Sequence, residues 1–306
     1  MLVDSRTFEL TRCFYEWELR GRGWVRYQHP VVLEPAFAPF VVHLKEEARP
    51  HDDAIRASWL SSIAEKLRGA PREPAVTHVR LEEGSAEEEL RTPEEFEVAE
   101  FLLASPEDAR IQRSAALGWL RALSAATYPI AFELLSGNRR VEVRLATARV
   151  DAPHVLRQLQ AALPQTVAME APERLEERWS VCSSGAFMAA EFGLAREFMI
   201  PLGCASHPLE EPLLPLIASL ADIGEGELGL LQVLFEQTRH PWDQNLLRAV
   251  TTPSGKPFFA DAPEVTAHAK EKVSSPLFAA VLRIGGWSQD PDRASEIVSR
   301  VAAGLS

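Results

Sequence analysis

Between Glu94 and Glu170 the apolar positions change period several times, and each change marks an element. Alternation over Phe96–Leu103 predicts a strand. The run Ser105-Pro106-Glu107-Asp108 then reads as a helix start, with a Ser cap, Pro in the first turn and acids that suit the helix dipole; the helix is expected to reach about Ala126 before Pro129. Ile130–Leu135 and Val141–Leu145 predict a hairpin joined by Ser136-Gly137-Asn138-Arg139, where Gly and Asn tolerate positive φ. Asp151-Ala152-Pro153 opens a second helix that places Val155, Leu156, Leu159 and Leu163 on one face, and Val167–Met169 supplies a fourth strand. The order βαββαβ is that of a ferredoxin-like, split βαβ unit.

The pattern recurs in part beyond Trp179. Strand character near Ser180–Phe192, a helix over Leu213–Ile223 and a strand over Leu228–Phe235 are followed by an interruption. A Pro241-led helix to Val250, a turn at Pro253-Ser254-Gly255-Lys256 and a helix from Ala262 to about Val273 intervene before the strand Leu277–Ile284 and a final helix over Pro291–Leu305. This reads as a second ferredoxin-like unit that carries an insertion and lacks its last strand.

Ahead of both, residues 12–44 hold short aromatic and β-branched runs such as Cys13–Leu19, Trp24–Tyr27 and Phe40–Leu44, expected as small strands. Ile55, Trp59, Ile63 and Leu67 at four-residue spacing predict a helix closed by Gly69 and Pro71, and the acidic run Glu82–Glu89 predicts an exposed connection. The expected fold class is therefore α+β: a small mixed segment and acidic linker over 1–92, a ferredoxin-like unit over 93–172, and a second, interrupted one over 173–306.

Composition agrees with a folded chain: 306 residues, 46% apolar and 25% charged. A net charge of −12 repels phosphate backbones, so no direct nucleic-acid binding is expected. Two basic clusters, Arg20, Arg22, Arg26 and Arg139, Arg140, Arg144, read as solvated strand ends and turns. Cys13, Cys182 and Cys204 are too few and scattered for a disulfide framework, and the N-terminus does not resemble a signal peptide, so a cytoplasmic location is expected. No apolar run approaches the roughly 20 residues that span a bilayer, which leaves any membrane association to partners.

The candidate chemistry is sparse. A P-loop needs glycines, a lysine and a hydroxyl so that backbone amides cradle phosphate, and Ser254-Gly255-Lys256-Pro257 lacks the first glycine and the hydroxyl. Cys204 and His207 have the spacing of two zinc ligands without a second pair nearby. His240 and His268 adjoin no nucleophile, and no Gly-x-Ser-x-Gly or His-Glu-x-x-His motif occurs. Glu210-Glu211 and Asp222, Glu225, Glu227 are acidic groups of the kind expected in polar turns. Seven tryptophans, at 17, 24, 59, 119, 179, 242 and 287, are expected chiefly in cores. No catalytic, cofactor-binding or metal-binding residue is expected, and no cofactor.

Several blocks, taken together and in order, resemble the N-terminal, pre-motor region of bacterial conjugative DNA-transfer ATPases of the HerA/FtsK class, the type IV secretion-like group. They are Trp17–Trp24 with Leu33-Glu34-Pro35 and Pro39-Phe40; Pro129–Leu134; Phe192-Gly193-Leu194 with Glu197-Phe198-Met199 and Pro201-Leu202; Leu231–Phe235 with Arg239–Trp242; and Phe258–Glu264 with Glu271–Phe278. The resemblance covers nearly the whole chain. It implies a non-catalytic assembly or docking role, a P-loop ATPase motor as partner in cis or in trans, and a homo-oligomer, hexameric in such proteins. The family's Walker motifs have no counterpart here, so none of its nucleotide-binding residues carries over. The competing expectation is a standalone adaptor or scaffold subunit that recruits another protein in a secretion or defence complex.

Overall fold

The computed structural model describes residues 14, 17–20, 22, 33–34 and 96–305, apart from 182–183, 203–212, 240 and 253. Met1–Phe37 and Phe96–Ser306 make one compact unit, distinct from Ala38–Glu95. The strands expected within 24–44 and the helix expected from residue 52 lie outside the described residues. Of the run Cys13–Leu19, expected as a strand, Phe14 and Trp17–Leu19 are helical. Their aromatic rings pack as a helical face does: Phe14 stacks on Trp17 and meets Phe198 edge-on.

Seven strands form one antiparallel sheet: β1 (Val98–Ala104), β2 (Ile130–Gly137), β3 (Arg140–Ala148), β4 (Val167–Glu170), β5 (Ala186–Phe192), β6 (Leu228–Gln237) and β7 (Phe278–Ser288). Among the described residues from Phe96 onward seven α-helices accompany them: α1 (Arg113–Ala122), α2 (Ala152–Ala162), α3 (Leu175–Val181), α4 (Leu213–Ala221), α5 (Trp242–Val250), α6 (Glu264–Lys272) and α7 (Pro291–Ala303). The sheet order is β4-β1-β3-β2-β6-β7-β5. Counted outward from the β2/β6 seam, each side lists its second, third and first strand, and one side adds a fourth. Segments 93–172 and 173–306 thus share a single sheet.

Alternation decides which side of the sheet each residue takes. Ile130, Phe132 and Leu134 of β2 share one face with Leu145, Leu231, Phe235 and Ile284. Against this face pack Trp119 of α1, Val155 and Leu159 of α2, Leu216 and Leu220 of α4, and Ile297, Val298 and Val301 of α7. Phe132 and Val233 touch both groups and make the core continuous across the seam. Gly286 permits a close approach of helix to strand: a Cβ there would lie 2.8 Å from the Ala294 carbonyl and 3.0 Å from Ile297, so α7 seats on β7 over a glycine.

Several boundaries differ from those read in the sequence. The first helix starts at Arg113, not after Ser105, because the Ser105 hydroxyl is spent on Thr166 (2.9 Å) and Pro106 accepts Ala109 N–H in a turn. The hairpin is tighter than expected. Gly137 belongs to the strand, and Asn138 (φ 53°) and Arg139 (φ 60°) alone make the turn, the two-residue form with both central residues left-handed. Asp151 precedes α2, yet its carboxylate accepts the Thr127 and Tyr128 N–H groups at 2.9 Å instead of capping the helix. Strand character expected from Ser180 begins only at Ala186, since Leu175–Val181 is helical. β7 runs on through Gly285-Gly286-Trp287-Ser288, where paired glycines masked the alternation.

Candidate functional site: an aromatic-walled cavity over a polar row

The face of the sheet opposite α1, α2, α4 and α7 carries a row of polar residues in register across five of its seven strands. Arg144 of β3 is paired with Glu133 of β2, Glu133 with Gln232 of β6, Gln232 with Arg283 of β7, and Arg283 with Glu191 of β5. The amide of Gln232 donates to Glu133 Oε1 (2.8 Å), Arg283 Nη1 donates to Gln232 Oε1 (3.4 Å), and Arg283 Nε donates to Glu191 Oε1 (2.6 Å). Cross-strand neighbours on one face lie within side-chain reach, so a single register suffices to build the row.

At the β3 end the row meets a buried ion pair. The Arg144 side chain is fully buried, in contrast to the solvated reading of its cluster. Its Nη1 donates to Glu100 Oε2 at 2.8 Å, its Nε to Glu142 Oε2 at 3.2 Å, and its Nη2 to the Glu173 carbonyl at 2.6 Å. Glu100 Oε2 also accepts the Leu175 N–H at 2.9 Å. A charge that cannot reach water must be satisfied by fixed partners, and here those partners include both backbone groups that open α3. Arg178 adds bonds to Glu142 and Glu173, and Glu177 turns back to the Arg174 N–H as in half of a capping box. Arg144 and Glu100 thereby latch α3 onto this face.

Under α3 lies a cavity of about 570 Å3. Its walls are Phe96, Leu175, Trp179, Phe187, Leu230 and Leu234, and Glu133 and Gln232 lie among the lining residues. Trp179 meets Phe187 edge-to-face at 4.8 Å, and both reach Gly285, where the lack of a side chain gives the rings room. Glu133 is only 2% exposed, and its Oε2 has no hydrogen-bond partner among the described residues. Burial pushes its carboxyl above the usual range; the Gln232 hydrogen bond and Arg144 oppose that, and Glu100 reinforces it.

The residues singled out in the sequence are dispersed. Arg139 and Arg140 are exposed at the hairpin tip, as a turn cluster should be. Arg20 is buried, contrary to a solvated strand end, with its guanidinium 5.3 Å from the Trp17 ring, while Arg22 pairs with Glu18; Arg26 lies outside the described residues. Glu227 gives both oxygens to Arg293 (2.9 and 3.0 Å), and Asp222 pairs with Arg300 (2.8 Å). Ser254, Gly255 and Lys256 form a turn with Gly255 at φ 77°, closed by the Thr252 N–H to the Lys256 carbonyl. His268 faces Glu271 at 3.9 Å. Trp119, Trp242 and Trp287 are buried, whereas Trp179 lines the cavity. Cys13, Cys182, Cys204, His207, Glu210, Glu211 and His240 lie outside the described residues.

Apart from Trp179, expected in a core, the residues that make the cavity were not singled out in the sequence as a site. A signal existed, since Glu133, Gln232 and Arg283 each interrupt an otherwise apolar strand. Their convergence follows from pairings between residues 51 to 99 positions apart. No family model matches the chain, and no curated protein or solved structure matches it.

Proposed function

We propose that this chain is a non-catalytic assembly and docking region of a HerA/FtsK-like DNA-translocating ATPase of the conjugative-transfer, type IV secretion-like group, built from two ferredoxin-like units. The observation that carries the reading is the strand order. β4-β1-β3-β2 is the arrangement of a split βαβ unit, with α1 and α2 as its two crossovers on one face. β6-β7-β5 has the matching order, with α4 joining its first two strands, α5 and α6 inserted between the second and third, α7 after the third, and no fourth strand among the described residues. Fusing the units through β2 and β6 makes one broad platform whose second face offers a receptor surface.

The ordered sequence blocks that resemble the pre-motor region add the functional half of the proposal. Two of them sit at the heart of the sheet: Pro129–Leu134 leads into and forms most of β2, and Leu231–Phe235 lies in β6. Burial of Arg144 removes the most central arginine of its cluster from any DNA-facing surface.

The test is co-purification of the chain with a P-loop ATPase encoded in the same or an adjoining reading frame, followed by measurement of the oligomer by light scattering. A hexamer-forming complex whose ATP hydrolysis depends on the partner's Walker lysine is the expected result. Recovery of the chain with a partner that has no nucleotide-hydrolysing domain would replace this reading with the adaptor one.

A further inference from the structure

We infer that the cavity beneath α3 binds an organic cation, an ammonium or amidinium group carried on an apolar body the size of an aromatic ring, with Glu133 as its counter-charge. Three observations converge on that chemistry. The cavity, about 570 Å3, falls within the range of small-molecule sites, which are mostly apolar with a few placed polar groups. Its walls supply three aromatic rings, Phe96, Trp179 and Phe187, whose π-faces and apolar surface suit a cation attached to a flat body. Among its lining residues lies a carboxyl group that is 98% withdrawn from solvent and has an oxygen with no bonding partner among the described residues.

The balance of donors and acceptors favours a ligand that donates. Gln232 already spends its amide N–H on Glu133 and receives Arg283 on its oxygen. The other ionisable groups lining the cavity are Glu100, Glu176 and Arg174. Glu100 is occupied by Arg144 and the Leu175 N–H, and Arg174 Nη2 donates to the Val98 carbonyl. With Glu100 and Arg174 so engaged, Glu133 Oε2 remains a buried acceptor without a donor among the described residues, which a donating ligand satisfies and an anion does not. An entering ammonium would offer Glu133 Oε2 the donor it lacks and favour its ionised form.

The experiment titrates the full chain with 2-phenylethylamine at neutral pH, with 2-phenylethanol as the uncharged comparison, by isothermal calorimetry. Saturable amine binding is expected, with the alcohol bound more weakly. E133Q is expected to weaken the amine by about tenfold or more, the size of one lost ionic hydrogen bond, and to leave the alcohol within about twofold. Leu230→Trp, which fills the cavity, should abolish both. Should E133Q fail to fold, Phe187→Ala, on a half-exposed wall, serves instead and should weaken the amine several-fold. Absence of saturable amine binding to the native chain, or equal amine affinity in E133Q, overturns the inference.

Discussion

Arg144→Met removes the buried cation that latches α3 while keeping an unbranched apolar side chain in its place. Glu100, whose side chain is 8% exposed, would be left with the Leu175 N–H alone, and the Glu173 carbonyl would lose its 2.6 Å donor. Breaking one partner out of a buried ion pair costs about 3–5 kcal/mol, because the remaining charge stays desolvated. Domains are stable by only about 5–15 kcal/mol. At about 2 °C per kcal/mol for a chain of this size, the melting temperature should fall by about 6–10 °C. The assay is thermal unfolding followed by circular dichroism, beside Glu100→Gln and the double variant Glu100→Gln/Arg144→Met. The double variant carries no stranded charge, so it should be less destabilised than the sum of the singles, by a coupling of about 1–3 kcal/mol. A single-variant loss below about 1 kcal/mol, or strictly additive singles, would show that Arg144 is hydrated and that α3 is held by other contacts.

Further expectations concern pH and the backbone. Burial raises the Glu133 pKa on folding, so its contribution to stability is full below its unfolded value near 4.5 and is lost as pH rises through the folded value. The stability of E133Q relative to the native chain should therefore climb with pH across that window in urea titrations, and a constant difference would contradict the burial of this carboxyl. Glu227 shows the opposite sign: bonding to Arg293 holds its pKa down, so its contribution is present above about 4.5 and disappears as pH falls through the folded value. Arg293→Gln should accordingly destabilise the chain at neutral pH and progressively less in acid, read from the midpoints of the same titrations. Arg139→Gly should stabilise the hairpin by about 0.5–1 kcal/mol, since its φ of 60° is costly for any side chain and Asn-Gly is the preferred pair for such a turn; unchanged melting would argue against that turn. Gly286→Ala should cost about 1–3 kcal/mol by pushing α7 off β7, measured by the same unfolding assay.

How much of this could be read from the chain depended on the range of the interaction. The hairpin of β2 and β3, the apolar stripe of α2 and the succession of strands and helices from β1 to β4 follow from local alternation and helical spacing, which act over a few residues and leave their mark in sequence. The start of α1 was misread because Ser105, a sound cap by local rules, bonds to Thr166 sixty-one positions away. The same competition took Asp151 from its helix to the Thr127 and Tyr128 amides.

Composition and spacing alone determined that the chain would fold as alternating strands and helices, with each strand having one side for the core. Only tertiary structure decided that Arg144, Glu133, Gln232, Arg283 and Glu191 form one row, and that α3 closes a cavity over part of it. The reason is physical. A strand's own residues specify which side faces the core, but its register against a distant strand is chosen by the packing of the whole sheet, and a slip of one residue would turn every member of the row to the other face.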